Sequence, residues 1–399
     1  MTTKALSLPR IYLQTGHDRR IVHGSPWAYS NEIRMDADTR ALPAGSLVTV
    51  HRVEGKALGI AMFNPHALIA VRLLDRDPNT VIDAAFLATR FRRALELRMR
   101  LFPEPFYRLV HAEADALPGL IVDRFGDRVV LQINAAGMAR LTPDILAAVD
   151  EVLAPEAVIL RNDSRMRVLE GLPSEVTVAR GEVGDPVEVR EAGLSFYAHL
   201  LAGQKTGWFY DQSRSRGFVA PLAAGGAMLD VFCHSGGFGV AAAAAGAARV
   251  LGIDTSEPAL DLARRAAAAN GVAPICTFRH GEAFATLEAL AASGERFRVV
   301  VADPPAFAKT RRELKAGLKG YRKLARLAAA VVEPHGFLFV ASCSHSVEPA
   351  MFASEVVAVL DRAGRGGRII RAAGAGPDHP VHPHLPETAY LKTLVLQID

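Results

Sequence analysis

The chain is poor in cysteine. Three residues, Cys233, Cys276 and Cys343, stand in 399. An odd, scattered set in a long chain excludes a disulfide framework and fits a reducing cytosol. No pair has the spacing of a zinc site. Long apolar runs are also missing. The alanine-rich stretch from Val240 to Ala248 falls short of a bilayer span. The opening residues, Met1 to Arg10, show no signal-peptide core or cleavage pattern. The expectation is a cytoplasmic protein with no membrane partner. Internal repeats and low-complexity tracts are absent. Charge of one sign is scarce too: the formal net charge is +4, which permits a polyanionic partner without demanding one. A dinucleotide loop of the form Gly-x-Gly-x-x-Gly does not occur at the chain's glycine-rich turn, which argues against a nicotinamide dehydrogenase.

What is present is an ordinary globular balance, 50% hydrophobic and 22% charged, in a length that predicts two or three domains. Residues 1–76 read as short strands between Gly, Pro and Asn, which suggests a small β-barrel. Within them, Arg19, Arg20 and His23 suit phosphate contacts and Trp27 suits stacking. The same stretch also reads as a solvated turn with one core tryptophan. Residues 77–190 read as a compact α+β section. It opens with a helix over 81–102 whose Arg90, Arg92, Arg93, Arg98 and Arg100 form either a solvated face or an RNA-facing stripe. Val187 to Glu191 is its expected last strand. Residues 191–399 alternate strand and helix. Strands are expected at 227–232, 249–253, 275–279, 298–302, 336–341, 367–373 and 389–398. Helices are expected near 238–247, 257–270, 283–293, 313–333 and 349–364, with Pro334-His-Gly336 as a stop signal.

Three loops and one strand-ending acid carry chemistry. Asp230-Val-Phe-Cys233-His-Ser235-Gly236-Gly237 follows the first of these strands, and its small residues let a ligand lie against backbone. Asp254 closes the second strand, where a carboxylate can accept both hydroxyls of a ribose or cap the next helix. Asp303-Pro304-Pro305-Ala-Phe307 leaves the fourth strand. It can present a carboxylate, carbonyls and a ring to a flat heterocycle, or be a plain proline-rich exit. Ser342-Cys343-Ser344 leaves the fifth strand with polar neighbours, so Cys343 is a candidate nucleophile against the alternative of an inert buried thiol.

In this order the motifs resemble the class I S-adenosylmethionine-dependent methyltransferases. Gly203-Gln204-Lys205-Thr206-Gly207-Trp-Phe209-Tyr-Asp211-Gln212 is more specifically similar to a segment of the bacterial large-subunit ribosomal RNA methyltransferase I family. So is the loop from His379 through His382 and His384 to Tyr390 and Lys392, a resemblance that argues against a metal site from those histidines. The resemblance covers the whole chain. It implies an α/β protein with an N-terminal PUA-like barrel that binds RNA, a central α+β domain and a C-terminal Rossmann-like class I methyltransferase domain. It further implies cytosine C5 methylation in 23S ribosomal RNA or a large-subunit precursor, with Cys343 as nucleophile and Asp303 on the cytosine edge. S-adenosylmethionine would meet Phe209, Asp211, Asp230, Cys233, Ser235, Gly236, Gly237, Asp254, Ser256, Glu282, Ala283 and Asp303. RNA would meet Pro304, Pro305, Phe307, Arg19 and Arg20. Two departures from the family pattern are Ser213 ahead of Arg214, and Glu282 where an aspartate is common. A base N-methyltransferase and a non-catalytic assembly factor remain as alternatives, and a homodimer stays open.

Overall fold

A computed structural model describes residues 8–399. Residues 1–7, on which the reading of a leaderless start partly rests, lie outside the described residues. The described chain forms two compact units. The first comprises residues up to Gly184 together with 200–206 and 380–386. The second comprises 185–199, 207–379 and 387–399.

In the first unit, the expected N-terminal strands form a five-stranded sheet in the order Arg10–Tyr12, Ser46–His51, Ala57–Phe63, Ile69–Asp75 and Trp27–Tyr29. A bridge between Leu13 and Ile33 ties the chain beyond one edge strand to the chain beyond the other, so the sheet curls into a barrel around Ile11, Val48, Val50, Phe63 and Val71. Trp27–Tyr29 had not been expected as a strand. The Trp27 indole donates to Glu113 at 2.9 Å, so this tryptophan is held by the protein. A second five-stranded sheet runs Glu175–Arg180, Ala157–Asn162, Arg128–Ile133, Leu120–Phe125 and Phe106–His111. Its edge strand Glu175–Arg180 is exposed along its whole length. No burial shaped its sequence, which is why it passed unseen.

The arginine-rich helix, Ala84–Leu101, commits several of its cations to the protein itself. Arg90 pairs with Asp75 at 3.0 Å, and Arg92 with Glu151. Arg98 is fully buried and grips Asp115 with two bonds of 2.6 and 2.8 Å. Most of the expected stripe is thus spent on internal ion pairs. Arg93 and Arg100 are exposed.

In the second unit, seven strands form one sheet: β1 Ala227–Val231, β2 Arg249–Asp254, β3 Cys276–His280, β4 Phe297–Ala302, β5 Val332–Ser342, β6 Gly367–Ala373 and β7 Lys392–Ile398. The order is β3-β2-β1-β4-β5-β7-β6. Strands β1 to β5 are parallel, while β7 runs antiparallel to both neighbours. Six helices complete it: α1 Ser213–Val219, α2 Gly237–Ala244, α3 Glu257–Ala269, α4 Ala283–Ser293, α5 Leu314–Ala330 and α6 Pro349–Arg362. Along β4, Val299 and Val301 enter one core cluster while Val300 and Ala302 enter another. A strand covered on both faces must be apolar throughout, which explains the unbroken run Val299 to Ala302. The chain goes outward from β1 to β3, then returns to β4 beside β1. That reversal makes a crevice at the carboxyl ends of β1 and β4.

Two expectations need correction. The helix expected to reach 333 ends at Ala330, because Phe297 donates its amide to Val331 and pairs with Val332. Pro334-His335-Gly336 is therefore a bulge inside β5, with His335 at a φ of 61°, and not a helix stop. Val187–Glu191 pairs with Leu194–Ala198 as a hairpin of the second unit, not with the middle section's sheet. This hairpin straddles the boundary expected at residue 190.

The Arg98 pair generates a stability prediction. Arg98→Met leaves Asp115 buried without its cation, a loss of about 3–5 kcal/mol. Denaturant unfolding followed by a probe in the first unit will show the transition shifted down. An unchanged midpoint would contradict the buried-pair reading.

Candidate active site

The second unit gathers its chemistry at the carboxyl ends of the parallel strands. After β1 the backbone turns sharply. Phe232 and His234 take left-handed φ values of 64° and 48° on either side of Cys233. For side-chain-bearing residues this strain costs on the order of 1–3 kcal/mol each and clusters at functional sites. Gly236 follows at a φ of 78° as the cap of α2. A Cβ there would stand 2.8 Å from the Ala263 methyl, so only glycine lets α2 start against α3.

Asp254 organises the turn. One carboxylate oxygen accepts the His234 amide at 2.8 Å, and the other accepts the Ser256 amide at 2.9 Å. Ser256 caps α3 through Ala259. The capping alternative and a ligand role are compatible, because each carboxylate oxygen keeps further lone pairs. Ser235 is buried and shares a hydrogen bond with the His234 ring. Phe209 meets that ring edge-on with centroids 5.1 Å apart. Past the end of β3, exposed Glu282 and buried Ala283 begin α4, and the preceding Gly281 amide donates to the Asp254 carbonyl.

Asp230 is buried beneath this turn and accepts the Gly239 amide at 3.1 Å. Burial pushes its carboxyl up to about 8. The Gly239 bond opposes the shift, while Asp303 and Asp254 add to it. Burial likewise pushes the Cys233 thiol up, and Asp230 and Asp254 reinforce that. Cys233 is thus a packed, protonated thiol at neutral pH. A buried cation lies near these acids. Arg216, which no sequence signal had singled out, is buried and donates to Glu191 at 2.7 Å and to the Phe209 carbonyl at 3.0 Å. Burial works against its charge, but Glu191 outweighs burial and the net shift is upward.

The loops after β4 and β5 are tied together. Asp303 accepts from the Gln212 side chain at 2.9 Å. Pro304 is buried and Pro305 exposed. The Cys343 thiol lies 3.9 Å from the Pro304 carbonyl oxygen and donates to it. Ser344, fully buried, accepts the Ala308 amide at 3.1 Å and shares a 2.8 Å bond with the Tyr321 hydroxyl. Phe307 packs on Tyr321 at 4.8 Å and on Phe284 at 6.1 Å. One face of its ring is therefore engaged by the protein.

Lys392 opens β7 and was missed as a functional residue. Its ammonium is buried and donates to the carbonyls of Ser344 at 2.6 Å and Tyr390 at 2.7 Å. Burial pulls it down to about 8, with the nearby Cys343 and Glu348 pulling the other way. The available signal was a lone cation at the head of an otherwise apolar strand, Lys392-Thr-Leu-Val-Leu. Tyr390 in turn donates to the Asp211 carboxylate.

Asp230, Cys233, Ser235, Gly236, Gly237, Asp254, Ser256, Glu282, Ala283, Asp303, Pro304, Pro305 and Cys343 thus stand on consecutive loops of one sheet edge. Phe209 and Asp211 come from the segment leading into α1. Arg19 and Arg20 belong to the first unit, both exposed on a short helix, with Arg20 over the Tyr29 ring at 4.7 Å. Among the described residues no group of three or more His, Cys, Asp or Glu is placed to hold a metal ion, and no helix is long and apolar enough to cross a membrane.

Comparison with known proteins bears on this arrangement. A PUA-like domain family matches residues 11–76, and an S-adenosylmethionine-dependent methyltransferase family matches residues 160–394. The ribosomal RNA large subunit methyltransferase I of Aeromonas hydrophila is 34% identical over 400 residues, covering 97% of this chain and 98% of that one. The protein of the same name from Pseudoalteromonas translucida is 32% identical, covering 97% and 99%. Among solved structures, a protein described as a SAM-dependent methyltransferase from Streptococcus mutans aligns with a TM-score of 0.82 at 17% identity, over 98% of this chain and all of that one. A methyltransferase complexed with SAH aligns at 0.83 with 18% identity, over 98% and 100%. At those identities the two structures speak for the fold.

The buried acid yields a pH prediction. A carboxyl raised from 3.8 to about 8 in the folded state makes stability fall as pH rises through that window. Asp230→Asn keeps the acceptor for Gly239 and removes the titration. Thermal midpoints of the two proteins will diverge from pH 4 to pH 8, the variant becoming relatively more stable, and then run parallel. Parallel curves throughout would show that Asp230 is not desolvated.

Proposed function

The chain belongs to the ribosomal RNA large subunit methyltransferase I family, and on that premise we propose that it methylates carbon 5 of a cytosine in 23S ribosomal RNA, or in a large-subunit precursor, in the cytoplasm. The observation that carries this reading is the Cys343 thiol at 3.9 Å from the Pro304 carbonyl oxygen, one residue from Asp303. A nucleophile and a base-edge acceptor then share one pocket wall.

S-adenosylmethionine, the methyl donor of this family, carries the electrophilic methyl on a sulfonium. The chain's residues suit such a group. Asp254 holds acceptor capacity for ribose hydroxyls, and Asp230, Asp303 and Asp211 surround the turn with acceptors that favour a cation. Gln212 Oε1 and Ser213 Oγ are buried without a protein partner, as expected beside a ligand rich in donors. Phe209, Cys233, Ser235, Gly236, Gly237, Ser256, Glu282 and Ala283 line the same turn and the adenine side.

The base must leave its stack to enter the pocket. Pro304 and Pro305 hold the loop rigid against it, with Phe307 braced behind by Tyr321. Asp303 hydrogen-bonds the cytosine edge. The Cys343 thiolate adds to carbon 6, and the electron pair of the C5–C6 double bond moves to carbon 5, which takes the methyl. Loss of the C5 proton to a base restores the double bond and expels the thiolate. Lys392 acts as a positioning residue. Its ammonium is pinned by the carbonyls of Ser344 and Tyr390 and favours the thiolate beside it. Arg19 and Arg20 of the PUA-like barrel contact RNA phosphates. Residues 1–76 serve as the RNA-binding domain, the section from residue 77 up to the Val187–Glu191 hairpin as the central domain, and the second unit as the catalytic domain.

Nucleoside mass spectrometry of 23S transcripts treated with enzyme tests the reading. The wild type will yield 5-methylcytidine. Cys343→Ala will yield none while still binding S-adenosylmethionine by calorimetry. Methylation of a nitrogen, or C5 methylation surviving in the variant, would refute it. Lys392→Met will lower kcat roughly 10- to 100-fold at neutral pH, with recovery at higher pH as the thiol ionises unaided. An unshifted pH profile would leave Lys392 a purely structural residue.

A further inference from the structure

We propose that the outer face of α5, together with the turn that precedes it, is a phosphate-binding rail that grips the RNA strand beside the base delivered to Cys343. This rests on the RNA methyltransferase reading above.

The charge is concentrated in one place. Residues 309–326 contain eight cations, Lys309, Arg311, Arg312, Lys315, Lys319, Arg322, Lys323 and Arg326, against one acid, Glu313. That is a net +7 in a chain whose total is +4, so the other residues together net −3. A mildly basic protein therefore hides one strongly basic segment in an otherwise acidic background, the distribution expected of a polyanion footprint.

Helix geometry gathers the charge on one side. At 100° per residue, Lys315, Lys319, Arg322 and Arg326 fall on a single narrow stripe. The opposite face, Gly317, Tyr321, Leu324 and Ala328, is buried. Neighbouring acids claim only two of the cations: Arg322 pairs with Glu355 at 2.9 Å, and Lys323 with Glu288 at 3.0 Å. Glu313 is occupied in capping, accepting the amides of Lys309 and Thr310. Among the described residues, the side chains of Lys309, Arg311, Arg312, Lys315, Lys319 and Arg326 are exposed and meet no acid. Beyond the N-cap Glu313, the first turn of α5 carries Lys315 and no acid, a placement the helix dipole disfavours.

The rail is rigidly joined to the pocket. Gly317 lets α5 lie directly on the β4 loop: a Cβ there would stand 2.6 Å from the Ala308 methyl. At Gly320 a Cβ would be 2.9 Å from the Phe307 ring. Tyr321, on the same helix, bonds Ser344 next to Cys343. Phosphates held on the stripe would therefore be fixed in register with the nucleophile, which is what delivery of one chosen base requires.

The test compares wild type with the triple variant Lys315→Gln/Lys319→Gln/Arg326→Gln, which spares the ion-paired Arg322 and Lys323. The probe is a 23S ribosomal RNA transcript. Its affinity is measured by filter binding across a salt series, alongside steady-state methylation. Removing three phosphate contacts should flatten the log–log salt slope by about 2 and weaken binding at least tenfold near 0.1 M salt. KM for RNA should rise, with kcat and S-adenosylmethionine affinity within twofold of wild type. An unchanged slope and affinity in a variant that still binds S-adenosylmethionine overturns the rail alone. Wild-type enzyme that binds S-adenosylmethionine but methylates no transcript overturns the function reading, and the rail with it.

Discussion

Ser344 is the knot on which the catalytic edge of the second unit depends. Its hydroxyl receives the Ala308 amide from the β4 loop and shares a bond with Tyr321 of α5, while its carbonyl receives the Lys392 ammonium from β7. Three separate elements converge on one fully buried residue. The consequence is geometric: the proline loop and the cysteine loop, which leave neighbouring strands, cannot drift apart. Cys343 and Asp303 keep their spacing because residues beside them are bonded in a dry environment, where such bonds are strong and costly to break.

Electrostatics adds a second constraint. Asp230, Asp254, Asp303 and Asp211 crowd one sheet edge, with Arg216 as a buried counter-charge. Without a ligand, the arrangement keeps Asp230 largely protonated at neutral pH, since its carboxyl titrates at about 8. A cationic ligand relieves that stress, so the pocket is tuned to one charge type before anything binds. Lys392 does the converse job at the far side. It is a cation held close to neutrality by burial, at about 8, yet still mostly charged at neutral pH, beside the Cys343 thiol proposed as the nucleophile.

Much of this was legible in residues. The βαβ rhythm of the last two hundred residues was readable because buried parallel strands are apolar along their whole length, as in Val299 to Ala302. Asp254 and Asp303 stood out because each ends such a run. Harder to read were features set by partners distant in sequence. The bulge at Pro334-His335-Gly336 looks like a helix stop until Phe297 is found pairing with Val332. Arg98 looked like one of a surface stripe until Asp115 met it in the core. Conversely, the basic segment 309–326 was visible as plain charge counting and was overshadowed by the arginines of Ala84–Leu101, most of which proved to be internal partners. Arg216 carried no local pattern, and Lys392 only that of a lone cation heading an apolar strand, since their roles come from burial.

The central claim is that the knotted loops hold Cys343 as the residue that bonds to the target base. Replacing cytidine by 5-fluorocytidine in the RNA tests it directly, because fluorine at carbon 5 removes the proton whose loss expels the thiolate. Incubation with enzyme and S-adenosylmethionine, followed by denaturing electrophoresis and peptide mass spectrometry, is predicted to give a denaturation-stable adduct on the peptide containing Cys343. An adduct on Cys233 or Cys276, or none from an enzyme that methylates the unmodified RNA, would contradict it.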